Sequence, residues 1–284
     1  MKKIFFPLLL SIVVISGCIS IPGIGKASIG EQGIFNIQNP DISIDIKPST
    51  TEVKSGRQIS LKFHLTSNQN DLFNILLNVY DQCIFTGDNL YSIDSLKHGR
   101  SKSWIWRWKA GSTEFPMNCK IKYRVSYISN FTLFHDIISM KESEYYSRQE
   151  RGTLNEIKLL SNSTTNPLDI KIRFSEQQPF IEGEEYNMYI DYSYSGNGYI
   201  EKLENVTIKI PDFINDIKCS GYDYDKETHT LKLNRDLNFY NKKGPQTTCT
   251  FTTQLSDPLE IQKITLTANY IYKFDNSLLI NVKP

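Results

Sequence analysis

A chain of 284 residues, 39% of them hydrophobic, is long enough for one large domain or two of ordinary size. With 32 basic residues against 31 acidic ones the formal net charge is only +1, which excludes a basic nucleic-acid-binding surface and a chain held disordered by its own charge. Five cysteines are an odd number, and because disulfides consume thiols in pairs, one of them must serve another purpose.

Residues 1–18 read MKKIFFPLLLSIVVISGC, with Lys2 and Lys3 ahead of an apolar run from Ile4 to Ile15 and the small residues Ser16 and Gly17 before Cys18. This is the layout of an export signal, too short to span a bilayer comfortably. Its last four residues, Ile15-Ser16-Gly17-Cys18, resemble the lipobox of prokaryotic lipoproteins. The resemblance implies cleavage after residue 17, a lipid on Cys18 and attachment to the membrane through that lipid on the extracytoplasmic side. Loss of Lys2 and Lys3 leaves 30 basic and 31 acidic residues, a formal charge of −1. Residues 19–40 carry four glycines and two prolines without a helical or strand period, so 18–38 read as a flexible tether. No later segment approaches 18 uninterrupted apolar residues.

From residue 39 onward the dominant period is two, the mark of half-buried strands. It is visible in Ile42-Ile44-Ile46 and in Ile59-Leu61-Phe63-Leu65, which follows the turn residue Gly56. Trp104, Trp106 and Trp108 hold all the tryptophan in the chain at alternate positions, so on a strand the three rings share one face. Exposed, such a row would stack on sugar rings or bind a partner; buried, it is the aromatic spine of a sandwich, the reading that large aromatics favour. Tyr123 to Ile128, a turn near Asn130 and a strand from Leu133 to Met140 close this half. Thr153 and Glu156 then stand at capping-box spacing ahead of Ile157 and Leu160, which predicts a short helix.

The second half repeats the plan. Asn166-Pro167 stands 127 residues after Asn39-Pro40, and Gly183 stands 127 after Gly56. Strands are expected at Ile170 to Phe174, Tyr186 to Tyr194, Val206 to Ile210 and Leu266 to Tyr272, then a turn at Asp275-Asn276 and a strand from Leu278 to Val282. Asp223, Asp225 and Glu227 offer oxygen ligands in principle, but Asp225-Lys226-Glu227-Thr228 reads better as a hairpin turn than as a calcium site. Tyr186, Tyr192 and Tyr194 share one strand face with Tyr189 opposite, a pattern that suits either a partner-binding surface or ordinary cross-strand packing. The resulting expectation is all-β: two tandem immunoglobulin-like sandwiches at 39–150 and 166–284 with a linker at 151–165.

Gly183-Glu184, the alternating residues after it, Ser195-Gly196-Asn197-Gly198 and the strand at Val206 are similar to the CARDB-like, cell-adhesion-related Ig-like modules of bacterial and archaeal surface proteins. That resemblance implies an adhesive, spacer or assembly-presenting role and no shared catalytic residues.

Export places Cys83, Cys119, Cys219 and Cys249 in an oxidising environment, where four thiols allow three pairings. Nearest-neighbour pairing puts one bridge in each half, each stabilising by about 3.5–4 kcal/mol on the loop-entropy model. No CxxC spacing and no histidines grouped around the cysteines suggest zinc, and no nucleophile elbow, phosphate loop, dinucleotide fingerprint or HExxH motif is present. Sequons stand at Asn130, Asn162 and Asn205 and mark candidate glycan acceptors. The expectation is a non-catalytic, membrane-anchored envelope lipoprotein without cofactor, metal or nucleic-acid partner, acting as an interaction, adhesion or structural module. The alternative is a carbohydrate-binding or envelope-polymer-binding protein that uses the tryptophan row or the tyrosine-rich sheet.

Overall fold

The computed structural model describes residues 35–38, 41–165 and 167–284, so the leader, Cys18 and most of the tether lie outside the described residues. Alternation does what the sequence demands of it. Ile42, Ile44 and Ile46 on one strand and Ile59, Leu61, Phe63 and Leu65 on the next turn into a common core, while the polar residues between them face water. The fold is all-β, with sandwiched sheets of the immunoglobulin-like kind. In the first half, Ile42–Pro48, Gln58–Ser67 and Ser101–Ala110 are successive neighbours in a five-stranded sheet, with Phe35–Gln38 and Phe85–Thr86 at its edges. Phe35–Gln38, within the span read as tether, pairs in register with Ser43–Ile46.

The second half reproduces this order. Leu168–Phe174, Glu185–Tyr194 and Thr247–Thr253 take the places of the first three strands, and Glu185–Tyr194 begins and ends 127 residues after Gln58–Ser67. Gly56 and Gly183, with φ of 72° and 84°, make the turns into these equivalent strands at a conformation only glycine adopts without strain. The other sheet of each sandwich is likewise equivalent: Leu90–Leu96, Leu72–Asp81 and Met117–Met140 in one half, Thr230–Leu233, Tyr199–Lys209 and Leu259–Lys283 in the other.

These two outer sheets are one. All 24 residues of Met117–Met140 pair antiparallel with Leu259–Val282, from Met117 opposite Val282 to Met140 opposite Leu259, without a register shift. At ~3.3 Å per residue the ladder is about 80 Å long. The turns expected near Asn130 and at Asp275-Asn276 therefore do not form. Asn130 lies opposite Asn269 and Asp275 opposite Arg124, with Arg124 Nε and Nη2 donating to the two carboxylate oxygens at 2.7 and 3.0 Å. Asp275, a residue that usually punctuates a chain, sits here on the solvent face of a strand, satisfied by Arg124 across the ladder. In consequence each half lends its final strand to the other. Leu278, Ile280 and Val282 are buried beside Cys119 and Ile121 of the first sandwich, and Ile137 and Ile138 face Gln262 and Ile261 in the second.

Asp41 marks the middle of this shared sheet. It is fully buried, and its Oδ2 accepts hydrogen bonds from Tyr270 at 2.6 Å and Tyr127 at 3.3 Å, while Oδ1 accepts from Asn70 Nδ2 at 3.1 Å. Burial raises the carboxyl above its ordinary value and these hydrogen bonds oppose the rise.

Both nearest-neighbour disulfides form. Cys83 and Cys119 have Cα atoms 5.6 Å apart, and Cys219 and Cys249 are direct cross-strand partners at 4.0 Å. Two structural disulfides are the chemistry of an exported protein. Among the described residues no helix is long and apolar enough to cross a membrane.

The helix falls earlier than its predicted position. It spans Glu142–Arg151 and ends at Gly152, which takes φ 70° and donates to Gln149 O, while Thr153 donates to Arg148 O. Leu154–Glu156 is a single 3₁₀ turn, and Thr153 makes no side-chain cap. The stretch ESEYYSRQER buries no side chain, so it has no apolar period to betray it; acidic residues in its first turn and basic ones in its last suit the helix dipole instead.

Candidate functional site

The tryptophan row is core, not an open platform. On Ser101–Ala110 the three indoles lie opposite Phe63, Leu61 and Ile59, on the face that meets the second sheet. Trp108 is 0% exposed and Trp106 4%, stacked on each other at 5.9 Å. Trp108 Nε1 donates to Asp88 O at 2.7 Å, and a Cβ on Gly87 would fall 2.2 Å from its ring, so only glycine lets the chain pass there. Trp104 is half-buried at the sandwich edge, between Phe63 and Tyr91 at 5.0 and 4.0 Å. The sheet needs their volume, and a continuous surface of three coplanar rings is not available for stacking on sugars.

The tyrosine-rich strand Glu185–Tyr194 divides in the same way. Tyr186 and Tyr192 are buried, and Tyr189 is half-buried with Arg173 over its ring at 5.9 Å. Tyr186 accepts from Ile181 N and donates to Glu184, both at 2.8 Å. Tyr192 and Tyr222 share a hydrogen bond of 2.5 Å, and burial pushes both hydroxyls above the ordinary tyrosine value while the charge of Arg235 acts the other way. Asp225 builds the expected hairpin turn, its Oδ1 accepting from Glu227 N at 3.1 Å and Thr228 N at 3.4 Å. Among the described residues no group of three His, Cys, Asp or Glu side chains is placed to hold a metal ion. Asn130, Asn162 and Asn205 are all exposed. Cys18 lies outside the described residues.

The feature that residue-type searching missed is a connection. Between equivalent strands the first half uses four residues, 97–100, whereas the second uses thirteen, 234–246. Turn chemistry was there to be read in Asn241-Lys242-Lys243-Gly244-Pro245, but only the comparison of halves shows it as an addition. The segment is held firmly. Leu237 is buried, and Phe239 meets Tyr194 edge-on at 5.4 Å. Tyr240 and Lys243 pair across Asn241 and Lys242, whose φ values of 48° and 66° make the tight mirror-image turn favoured in hairpins. Tyr194 N donates to Lys242 O at 3.0 Å, Gly244 N to Tyr192 O at 2.8 Å and Lys242 Nζ to Gly196 O at 2.7 Å, which fixes the hairpin to the neighbouring sheet. At its tip Tyr240 is 81% exposed.

Beside that ring opens a cleft of about 750 Å³ lined by Arg235, Asp236, Asn238, Tyr240 and Lys243. A second cleft of about 530 Å³ shares Arg235 and Asp236 and reaches Lys202 and Asn205. An aromatic face surrounded by amide, carboxylate and guanidinium groups is equipped for recognition: the ring gives apolar contact, and the planar polar groups give directed hydrogen bonds.

Fold and site together define an exported, disulfide-bonded, all-β protein of two fused sandwiches, with the connection 234–246 pinned to the neighbouring sheet. No family model matches the chain, and no curated protein matches it. Among solved structures it is similar to the C-terminal globular domain of an oligosaccharyltransferase from Pyrococcus abyssi, at 16% identity and a TM-score of 0.26, over 81% of this chain and 45% of that one. It is also similar to the secreted serine protease VesC of Vibrio cholerae, at 11% identity and a TM-score of 0.21, over 80% of this chain and 50% of that one. The collagen adhesin of S. aureus matches at 6% identity and a TM-score of 0.22, over 87% and 92%. The chain spans about half the length of the first two. At these scores the matches transfer no activity.

Proposed function

We propose that this chain is a non-catalytic interaction module of the cell envelope, tethered to the membrane through a lipid on Cys18, with the connection 234–246 as its recognition element. The observation that carries the reading is that connection: thirteen residues where the first half uses four, pinned at several points and carrying a largely exposed tyrosine beside a polar cleft. Preorganisation of this kind lowers the entropy cost of binding. The unbroken ladder through both sandwiches supports the reading from another side, because a stiff frame holds the connection at a fixed distance from its tether. Acyl or alkyl chains, each methylene contributing about 0.8 kcal/mol, supply the anchorage, so no surface of the sandwiches is required to touch lipid.

A photo-crosslinking residue at position 240 of the full chain, in cells, tests this. A discrete adduct is expected that disappears when 234–246 is replaced by a four-residue connection, and Cys18→Ala is expected to move both protein and adduct from the membrane to the soluble fraction. Labelling at 240 no greater than at the exposed Tyr146 would overturn the recognition element. Membrane retention of the Cys18→Ala variant would overturn the lipid anchor.

A further inference from the structure

The three sequons are far apart in sequence and come together in the fold. Thr207, the hydroxyl residue of the sequon at Asn205, lies directly opposite Thr267, with their hydroxyls 2.7 Å apart. Thr267 in turn lies opposite Thr132, the hydroxyl residue of the sequon at Asn130. Thr132 N donates to Thr164 Oγ1 at 3.1 Å and Thr164 N to Thr132 O at 2.9 Å, which adds the sequon at Asn162 to the same line. One cross-strand row on the shared sheet therefore contains the third residue of every sequon.

Strand geometry presents these motifs correctly. In Asn130-Phe131-Thr132 and Asn205-Val206-Thr207 the middle residue is buried, at 1% and 2% exposure, while the asparagine is exposed, as a period of two requires. Around the row, the face carries Thr265, Asn269 and Ser126, small polar groups on strands whose alternate residues are core.

From this juxtaposition we infer that the open face of the ten-stranded sheet is a glycosylated face, with Asn130, Asn162 and Asn205 as its N-linked acceptors. In the transfer, the amide nitrogen of each asparagine attacks C1 of a sugar activated as a polyisoprenyl-phosphate-linked or pyrophosphate-linked donor. The N–C1 bond forms, the C1–O bond to phosphate breaks with its electron pair leaving on the lipid phosphate, and the amide proton passes to solvent through the transferase. No oxidation or reduction takes place. The sites differ in their access. Asn130 lies within the long ladder opposite Asn269, so its modification has to precede addition of the final strand, during export. Asn162 lies on a three-residue strand, and Asn205 lies at a bulge with φ 50°, so both remain reachable later.

Glycopeptide mass spectrometry of the full chain purified from the membranes of its native host tests the inference. A glycan is expected on at least Asn162 and Asn205, with Asn130 occupied wherever transfer accompanies export. Thr132→Ala, Thr164→Ala and Thr207→Ala should each abolish the modification at their own asparagine, and the matching Thr→Ser variants should retain it, which separates loss of the sequon from loss of fold. Fewer than two occupied sites, or a modification that survives the alanine change, would overturn the glycosylated face without bearing on the connection 234–246.

Discussion

Alanine at Leu278 and Ile280, within seven residues of the C-terminal residue Pro284, is expected to unfold the first sandwich at markedly lower denaturant. Both side chains are buried, and Leu278 and Ile280 lie opposite Ile121 and Cys119 in the ladder. Each truncation costs about 2–5 kcal/mol in transfer and cavity terms, a large share of the roughly 5–15 kcal/mol that holds a typical domain together. The chain supplies its own reporter, since Trp104, Trp106 and Trp108 are all the tryptophan present and all pack in the first sandwich. In a tandem arrangement of independent domains, changes at residues 278 and 280 would leave the tryptophan transition alone. With the final strand lent across the sheet, the midpoint of that transition drops, and Leu266→Ala at the other end of the same strand is expected to move it too, because the ladder couples the halves. An unchanged tryptophan midpoint in the Leu278→Ala/Ile280→Ala variant would refute the coupling.

Why the exchange was not legible is instructive. The strands themselves were, because a period of two on Ile42 to Ile46, Ile59 to Leu65 and Leu266 to Tyr272 reports which face is buried whatever the partner is. Partner choice between strands whose paired residues stand 119 (Met140 to Leu259) to 165 (Met117 to Val282) positions apart leaves no such trace. Asn130 and Asp275-Asn276 interrupt the apolar pattern with residues that prefer turns, and reading them as turns keeps each half closed on itself. What overrides that preference is tertiary: Arg124 clamps Asp275 in a two-pronged ion pair, and Asn269 stands across from Asn130. The helix Glu142–Arg151 was hidden for the converse reason, an intrinsic propensity without a buried face. Cysteine pairing was open to sequence reasoning because proximity in the chain happened to coincide with proximity in the fold. The tryptophan row was legible as a row, and its environment was settled only by Phe63, Leu61 and Ile59 opposite it. The connection 234–246 needed the two halves to be aligned element by element before its extra length meant anything.

Asp41 leads to the second large effect, on the dependence of stability on pH. Its carboxyl is raised above the ordinary value of 3.8 by burial, against the hydrogen bonds from Tyr270, Asn70 and Tyr127. A raised acid binds its proton more tightly in the folded state than in the unfolded one. Below 3.8 both states are protonated and the group is neutral to stability; as pH rises from there through the folded value, only the unfolded chain ionises freely, so stability falls, and it levels off above the folded value. Asp71 and Asp81 are lowered by their lysine partners and by backbone hydrogen bonds, Asp191 by Arg173, and Asp225 by hydrogen bonds from Thr228; they act in the opposite sense and in a different window, adding stability above 3.8 and losing it as pH falls through their folded values. Asp41→Asn keeps an acceptor for Tyr270 and abolishes the charge, so denaturant midpoints measured from pH 3 to 8 should lack the decline above 3.8 that is expected of the parent chain. Parallel curves for parent and Asp41→Asn would remove Asp41 from the pH response. Asp41→Ala behaves differently again, because it leaves the buried hydroxyl of Tyr270 and the amide of Asn70 without their shared acceptor at about 1–3 kcal/mol each, on top of the cavity. Since these groups come from the entry to the first sandwich, from its Ser67 to Asp71 turn and from the final strand, the loss is felt where the two halves join. The alanine variant is therefore expected to lower the tryptophan transition at every pH, whereas the asparagine variant, which gives up only the acceptor for Asn70, lowers it less and removes the contribution of Asp41 to its slope against pH.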